Sequence, residues 1–313
     1  MENNFENLEQ KFLFEFEKNN IDKSSTFILG ISGGPDSMWL LNLMKNLNVI
    51  VACVNYNKRK DAWNDQKIVE NFCSKNNIKC ETLVLDKNQK YDGNFQKIAR
   101  DQRYDFYQKI YNKYKASALI LAHHKDDNLE TYLFQKQSKR QPKNYGIANI
   151  NRLLEMTIFR PMINLWFKDE ILTFCNFFNI PYALDYTNFL PIYTRNKIRI
   201  ELKEKTKIEK QKLIDEMNFI NKELEHKNLI VKDKYLNFKN SDYNYKLLDL
   251  DCEFINEILF EFLHDNIENV KVCKNKLNLF KNYIKSTKNF KHFKINDKNY
   301  VYKHQGKLKV DKI

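Results

Sequence analysis

The chain has 313 residues, enough to bury a full core as one large domain or two smaller ones, and we favour two. Hydrophobic residues make up 42% without an uninterrupted apolar run of about 18, which argues against a membrane-spanning helix. The net charge of +13 comes from 53 Lys+Arg against 40 Asp+Glu, and residues 271–313 alone supply +11 of it, with 13 Lys, no Arg and 2 Asp. A polyanionic partner is therefore plausible. An AT-rich gene inflates Lys, Asn, Tyr, Phe and Ile together, so aromatics beside lysines carry little weight in sequence; clustering of lysine without acids is not explained that way. The acidic and amide-rich start MENNFENLEQKF does not read as a secretory signal, and a cytoplasmic location with no membrane partner is expected. The six cysteines, Cys53, Cys73, Cys80, Cys175, Cys252 and Cys273, never stand as C-x-x-C, which removes the usual spacing for zinc or an iron–sulfur cluster.

From residue 26 short β-like runs alternate with longer amphipathic stretches, the pattern of a parallel sheet with crossover helices. Strands are predicted at TFILGI (26–31), VIVACV (49–54), CETLVL (80–85) and ALILA (118–122). Helices are predicted at DSMWLLNLMKNL (36–47), DAWNDQKIVENFCSKNN (61–77), NFQKIARDQRYDFYQKIYNKY (94–114) and FKDEILTFCNFF (167–178). Near-continuous apolar strands imply a sheet covered on both faces, so a doubly wound α/β domain is expected over residues 1–205. A polar helical run rich in Lys and Glu follows to about His226, so 206–228 reads as a helical connector. Residues 229–313 then form a smaller basic α+β domain. It has helical periodicity at 253–265 and 275–286 and β-like sequence at 293–310.

Of 6 glycines, three (Gly30, Gly33 and Gly34) fall within GISGGPDS (30–37), which points to one tight, demanding loop. The loop follows a strand and opens a helix, with Pro35 suited to the first turn, so free N–H groups and the positive end of the helix dipole converge. It is not a Walker A loop, because the lysine is absent, and the spacing fails the G-x-G-x-x-G fingerprint. It offers the hydroxyls of Ser32 and Ser37, the amides of Gly33 and Gly34, and one carboxylate, Asp36, suited to hold Mg²⁺ beside phosphate oxygens. The competing reading is an ordinary turn with Ser and Asp as caps. Further on, LILAHHKDDNLET (119–131) sets His123, His124, Asp126, Asp127 and Glu130 directly after a buried strand, at the carboxyl edge where α/β sheets bind ligands. Asp127-x-x-Glu130 fits a capping-box variant, but two histidines and three carboxylates exceed what capping requires.

The glycine loop resembles the pyrophosphate loop of the PP-loop ATPase superfamily, whose members split ATP between the α and β phosphates. AHHKDDNLET (122–131) is similar to the A-H-H-x-D-D-Q-x-E-T signature of the tRNA(Ile)-lysidine synthase family. GNFQKIARDQRYDF (93–106), FRPMINL (159–165) and DYTNFLPIYTRNKIR (185–199) are similar to further elements of that family, in matching order over about residues 24–202. There are departures. CVNYNKR (53–59) keeps Val54, Asn55 and Arg59 but has Cys53 and Tyr56 where the family has histidines, and Asn128 replaces a glutamine.

The resemblance implies ATP-dependent joining of the ε-amine of free L-lysine to C2 of the wobble cytidine of a tRNA(Ile) with a CAU anticodon. The route is an adenylated tRNA, and AMP and pyrophosphate are released. It implies ATP and Mg²⁺ at Ser32, Gly33, Gly34, Pro35, Asp36 and Ser37, with Asp36 as the metal holder. Asp36, Asp127, Glu130 and Arg195 are then the expected catalytic residues, the acidic pair Asp127 and Glu130 receiving the lysine amine. His123, His124, Asp126, Arg100, Arg103 and Arg199 are expected around lysine or tRNA. Arg195 and Arg199, one helical turn apart, can face the same phosphates, though Arg199 reads equally as part of a solvated helix face. Arg100 and Arg103 could equally pair with Asp101 or Asp105. The lysine-rich end is expected to grip the body of the tRNA through its phosphates. A PP-loop tRNA thiolase is the runner-up, set back by the unpaired cysteines. A non-catalytic RNA-binding protein is the third reading, opposed by the intact Asp36, Asp127 and Glu130.

Overall fold

The computed structural model describes residues 2–57, 62–86, 95–138, 142–183, 194–286 and 292–312, with the side chains of 2–4, 95, 96 and 194–196 outside that description. Helix α1 (Glu2–Lys18) comes first and is not among the expected elements, although Phe5, Leu8, Phe12 and Phe16 recur at helical spacing and Phe12 and Phe16 are fully buried. The alternation then runs as expected: β1 (Phe27–Ile31), α2 (Pro35–Met44), β2 (Val49–Asn55), α3 (Ala62–Lys75), β3 (Lys79–Val84), α4 (Phe95–Lys113), β4 (Ala118–Leu121) and α5 (Lys125–Gln137). A hairpin, β5 (Ile150–Leu153) and β6 (Met156–Phe159), follows, then α6 (Lys168–Phe177) and α7 (Thr194–Glu204).

These strands form a six-stranded sheet in the order β3-β2-β1-β4-β6-β5, parallel except for β5, which runs antiparallel to β6. The doubly wound α/β expectation holds, with an antiparallel edge added. The hairpin escapes sequence reading for a physical reason. Its turn residues Leu154 and Glu155 both take positive φ, 49° and 62°, without the Asn-Gly or Asp-Gly letters that usually announce such a turn. Side chains of β1 alternate between two cores. Phe27, Leu29 and Ile31 pack with Phe12, Phe16, Trp39 and Phe159, and Ile28 packs on the other face with Tyr104, Tyr107 and Ile110 of α4. Strand order reverses between β1 and β4, so the crevice outside their carboxyl ends is where this architecture places a ligand.

Helix α8 (Lys207–Asn240) continues well past the expected end near residue 226. Contacts divide the chain into two compact units, Met1–Asn218 and Phe219–Ile313, with α8 running through the division. The second unit contains α9 (Ile255–Asn266), α10 (Lys274–Lys285) and a three-stranded antiparallel sheet of β7 (Phe293–Lys294), β8 (Asn299–His304) and β9 (Lys307–Lys312). Its core joins Tyr235 and Phe238 of α8 to Leu259, Phe262, Phe280, Val301 and Leu308. The described residues of the lysine-rich end thus belong to folded elements, α10 and the three-stranded sheet. No described helix is long and apolar enough to cross a membrane.

Candidate active site

The loop after β1 is held by its own hydroxyls. Ser37 Oγ donates to Gly34 O at 2.9 Å and accepts from the Ser32 N–H at 3.2 Å. Pro35 is the first residue of α2, as expected, and the Met38 N–H donates to Gly34 O at 2.9 Å as the first helical bond. The amides ahead of Met38 therefore have no acceptor within the helix, which is the condition under which a helix start binds an anion. The two adjacent glycines have different reasons. Gly33 has φ +85°, and an added Cβ would come 2.7 Å from the backbone oxygen of Asp65. Gly34 has φ −73°, and an added Cβ would meet nothing nearer than Ser32 Oγ at 3.8 Å. Gly33→Ala is therefore expected to cost about 2 kcal/mol of stability. Gly34→Ala should melt close to wild type yet retain ATP poorly, because its methyl enters the space above the loop. Thermal melts with and without ATP check both, and equal destabilisation by the two substitutions would contradict the assignment.

The loop after β4 brings a second set of charges to the same place. His124 precedes α5, and its backbone N–H donates to Asp127 Oδ2 at 3.0 Å. The capping pair is thus His124 with Asp127, and not the Asp127 with Glu130 of the competing capping reading. The buried His124 ring lies among three carboxylates: Nε2 is 3.6 Å from Asp36 Oδ1 and 3.5 Å from Asp127 Oδ2, and Nδ1 is 3.7 Å from Asp126 Oδ2. Burial alone would lower this imidazole, but Asp127 and Asp36 outweigh it and raise it from 6.5 to about 9. Its neighbour is the opposite case. Burial, helped by Arg160, His124 and Arg103 and resisted by Asp127, lowers His123 from 6.5 to about 4. One histidine is a cation at neutral pH and the other a neutral ring.

Asp36 receives two cations. Its Oδ2 accepts from Lys168 Nζ at 2.6 Å, while the buried Oδ1 has no hydrogen-bond partner. Burial would raise the carboxyl, but His124 and Lys168 together hold it at about 2. Lys168, which the sequence reading did not single out, is brought to the candidate site by this contact. A lysine at the first position of a helix opposes the dipole and needs a nearby carboxylate. The Lys168 backbone N–H also donates to Asp126 Oδ2 at 2.7 Å, and Asp126 Oδ1 accepts from the buried Lys210 Nζ at 2.7 Å. Asp126 is therefore engaged in joining α5, α6 and α8. The carboxylate of Asp36, whose Oδ1 makes no hydrogen bond, suits a divalent ion, while the open space over Gly34 beside the cations Lys168 and His124 suits a phosphate chain.

The remaining candidates lie in two groups. Glu130 is buried, and its Oε2 accepts from Arg199 Nε at 2.6 Å. The Arg195 side chain lies outside the described residues, as do Arg59 and residues 184–193. Arg103 turns inward to Tyr56, Tyr104 and Tyr107, with its guanidinium 5.6 Å from the Tyr104 ring and its buried Nε without a hydrogen-bond partner. Arg100 is exposed, with its guanidinium 4.9 Å from the same Tyr104 ring.

With this geometry in place, known proteins give the context. A model of the PP-loop domain matches residues 3–206. Over 284 residues the chain is 37% identical to the tRNA(Ile)-lysidine synthase of Mycoplasmopsis pulmonis, spanning 90% of this chain and 98% of that protein. The chain belongs to the tRNA(Ile)-lysidine synthase family. It is 34% identical over 291 residues to the synthase of Mesomycoplasma hyopneumoniae, covering 92% of this chain and 96% of that protein. It is 39% identical over 254 residues to that of Mesoplasma florum, covering 79% of this chain but 63% of the relative. Among solved structures, the U34-tRNA thiolase NcsA of Methanococcus maripaludis superposes with a TM-score of 0.56 at 14% identity, over 71% of this chain and 80% of that one. That likeness is one of fold.

The departures from the lysidine synthase pattern have local explanations. Tyr56 stands beside Arg103 at the end of β2. Cys53 is buried, and burial pushes its thiol up to about 12, so it packs as a small apolar group. Asn128 Oδ1 accepts from the Ile147 N–H at 2.7 Å, a structural tie that a longer glutamine would make from a different distance. The histidine pair makes ligand-free stability pH-dependent. His124 holds a proton that the unfolded chain releases above pH 6.5, so its contribution is full below 6.5 and lost as pH rises to about 9. His123 stays neutral where the unfolded chain protonates, so stability also falls on acidification from 6.5 toward 4. His124→Gln should flatten the alkaline limb by about 3 kcal/mol, measured by urea unfolding at pH 6, 7.5 and 9. An unchanged limb would contradict the buried imidazolium.

Proposed function

We propose that this chain is an ATP-dependent ligase that joins free L-lysine to C2 of the wobble cytidine of a tRNA(Ile) with a CAU anticodon, in the cytoplasm. The observation that carries the reading is the meeting of Asp36, His124, Asp127 and Lys168 at the carboxyl ends of β1 and β4. The C2 oxygen of cytosine is a poor leaving group, so it first attacks the α-phosphorus of ATP and pyrophosphate departs. The loop amides and Lys168 offset the negative charge that develops on pyrophosphate. Mg²⁺, held by Asp36, would supply further charge neutralisation there. The lysine ε-amine then attacks C2, AMP leaves, and the amine loses a proton. Free lysine is an ammonium near pH 7, so an acidic pair is needed both to hold and to neutralise it. Asp127 and Glu130 are that pair, with Arg199 drawn off Glu130 as the ammonium takes its place.

Lysines of the second unit contact the tRNA phosphates. Removing residues 271–313 would also remove α10 and the sheet, so point substitutions of the exposed Lys271 and Lys274 are the informative change. Pyrophosphate release with tRNA, with and without lysine, followed by mass analysis of the nucleoside, tests the whole reading. The expected product carries the mass of lysine less water at the wobble cytidine. A sulfur-bearing product would favour the thiolase reading, and no turnover would favour a binding protein.

A further inference from the structure

The sheet of the second unit has one face in the core and one outside it. On β8, Val301 is buried with Leu308 in the second core, so Tyr300, Tyr302 and His304 project from the opposite face. Their rings run in line along the strand, with centroids 5.9 Å apart between Tyr300 and Tyr302 and 6.5 Å apart between Tyr302 and His304. His292 extends the row, 5.0 Å from Tyr300. The register sets Lys309 of β9 opposite Tyr302, and Lys307 opposite His304. Both lysines reach Asp242, at 3.2 and 2.7 Å, in exposed ion pairs that contribute little and yield readily to another anion.

We propose that this face is a stacking platform for unpaired nucleotides of the tRNA, with bases on Tyr300, Tyr302 and His304 and phosphates at Lys307 and Lys309. The inference rests on the reading of the chain as a tRNA-modifying enzyme. An RNA strand is the occupant that matches both halves of the surface. Flat rings repeated along a strand suit the π faces of successive bases, and 13 Lys against 2 Asp over residues 271–313 suits a polyanion. An AT-rich gene would raise the number of tyrosines and lysines. It does not account for rings on one face of a pleated strand and lysines beside them.

Stacking and phosphate contacts differ in their salt dependence, and that difference tests the proposal. In filter binding of a CAU-anticodon tRNA(Ile) transcript to the full chain, Tyr300→Ala with Tyr302→Ala should weaken affinity about tenfold per ring, without changing the slope of log affinity against log salt. Tyr300→Phe with Tyr302→Phe should restore it. Lys307→Ser with Lys309→Ser should lower the slope by about 1 per lysine. Wild-type affinity in the alanine pair, with an unchanged melting curve, would overturn the platform. Should that pair fail to fold, photo-crosslinking of wild-type protein to 4-thiouridine-substituted tRNA decides the matter. Adducts at Tyr300, Tyr302 or His304 are expected, and adducts confined to other segments would overturn the proposal. Wild-type pyrophosphate release is measured alongside. If it is absent while the crosslinks form, the ligase reading fails and the platform stands.

Discussion

Asp36→Asn is expected to lower tRNA-dependent pyrophosphate release by about a hundredfold or more while leaving the protein folded. The carboxylate sits in the first turn of α2, where a negative charge is favoured by the dipole, and it is held ionised at about 2 by His124 and Lys168 against the cost of burial. The amide is nearly the same shape, so packing survives. The expected loss is electrostatic: the charge proposed to hold the metal disappears, and Lys168 and His124 are left as cations without their counter-charge. Removing one preorganised electrostatic group from such a site commonly costs about 10²–10³ in rate. Wild-type release rates in the variant would mean that charge at the loop does not matter to the chemistry.

Glu130→Ala separates the two half-reactions. Glu130 is on α5 one turn beyond Asp127, is buried, and accepts from Arg199 Nε at 2.6 Å. On the proposed function, adenylation of the tRNA uses the loop and should survive to within about tenfold, whereas lysine transfer uses a group to hold and neutralise the amine and should fall by at least about a hundredfold, the usual scale for a general acid–base group. Rapid-quench gels with α-labelled ATP would then display adenylated tRNA accumulating in the presence of lysine. Equal losses in both steps would assign Glu130 to the scaffold instead. Arg199 is about half exposed, so its release from Glu130 in this variant strands no buried charge.

Much of this was legible in the letters because the sheet is local in sequence. Each of β1 to β4 is a short apolar run followed by turn residues, and each is close to its predicted span. The loop of Gly33, Gly34 and Pro35 announced itself because its backbone conformation restricts residue type. What escaped were features set by partners far along the chain. Lys168 reaches Asp36 across a separation of 132 residues, and Lys210 reaches Asp126 across 84. No window of periodicity carries such pairs. The β5–β6 hairpin was hidden by Leu154 and Glu155, whose unusual backbone is imposed by the sheet and not by their own preference. The division of labour between His123 and His124 was equally hidden, since adjacent identical letters are told apart only by what surrounds each ring.

A crystal structure of the full chain with ATP and magnesium tests the central claim most directly. The account expects the outer phosphates on the amides of the Gly33–Ser37 loop, Asp36 turned to the metal, and Lys168 Nζ moved from Asp36 to a phosphate oxygen. Nucleotide bound elsewhere, with the Asp36–Lys168 pair intact at 2.6 Å, would contradict it.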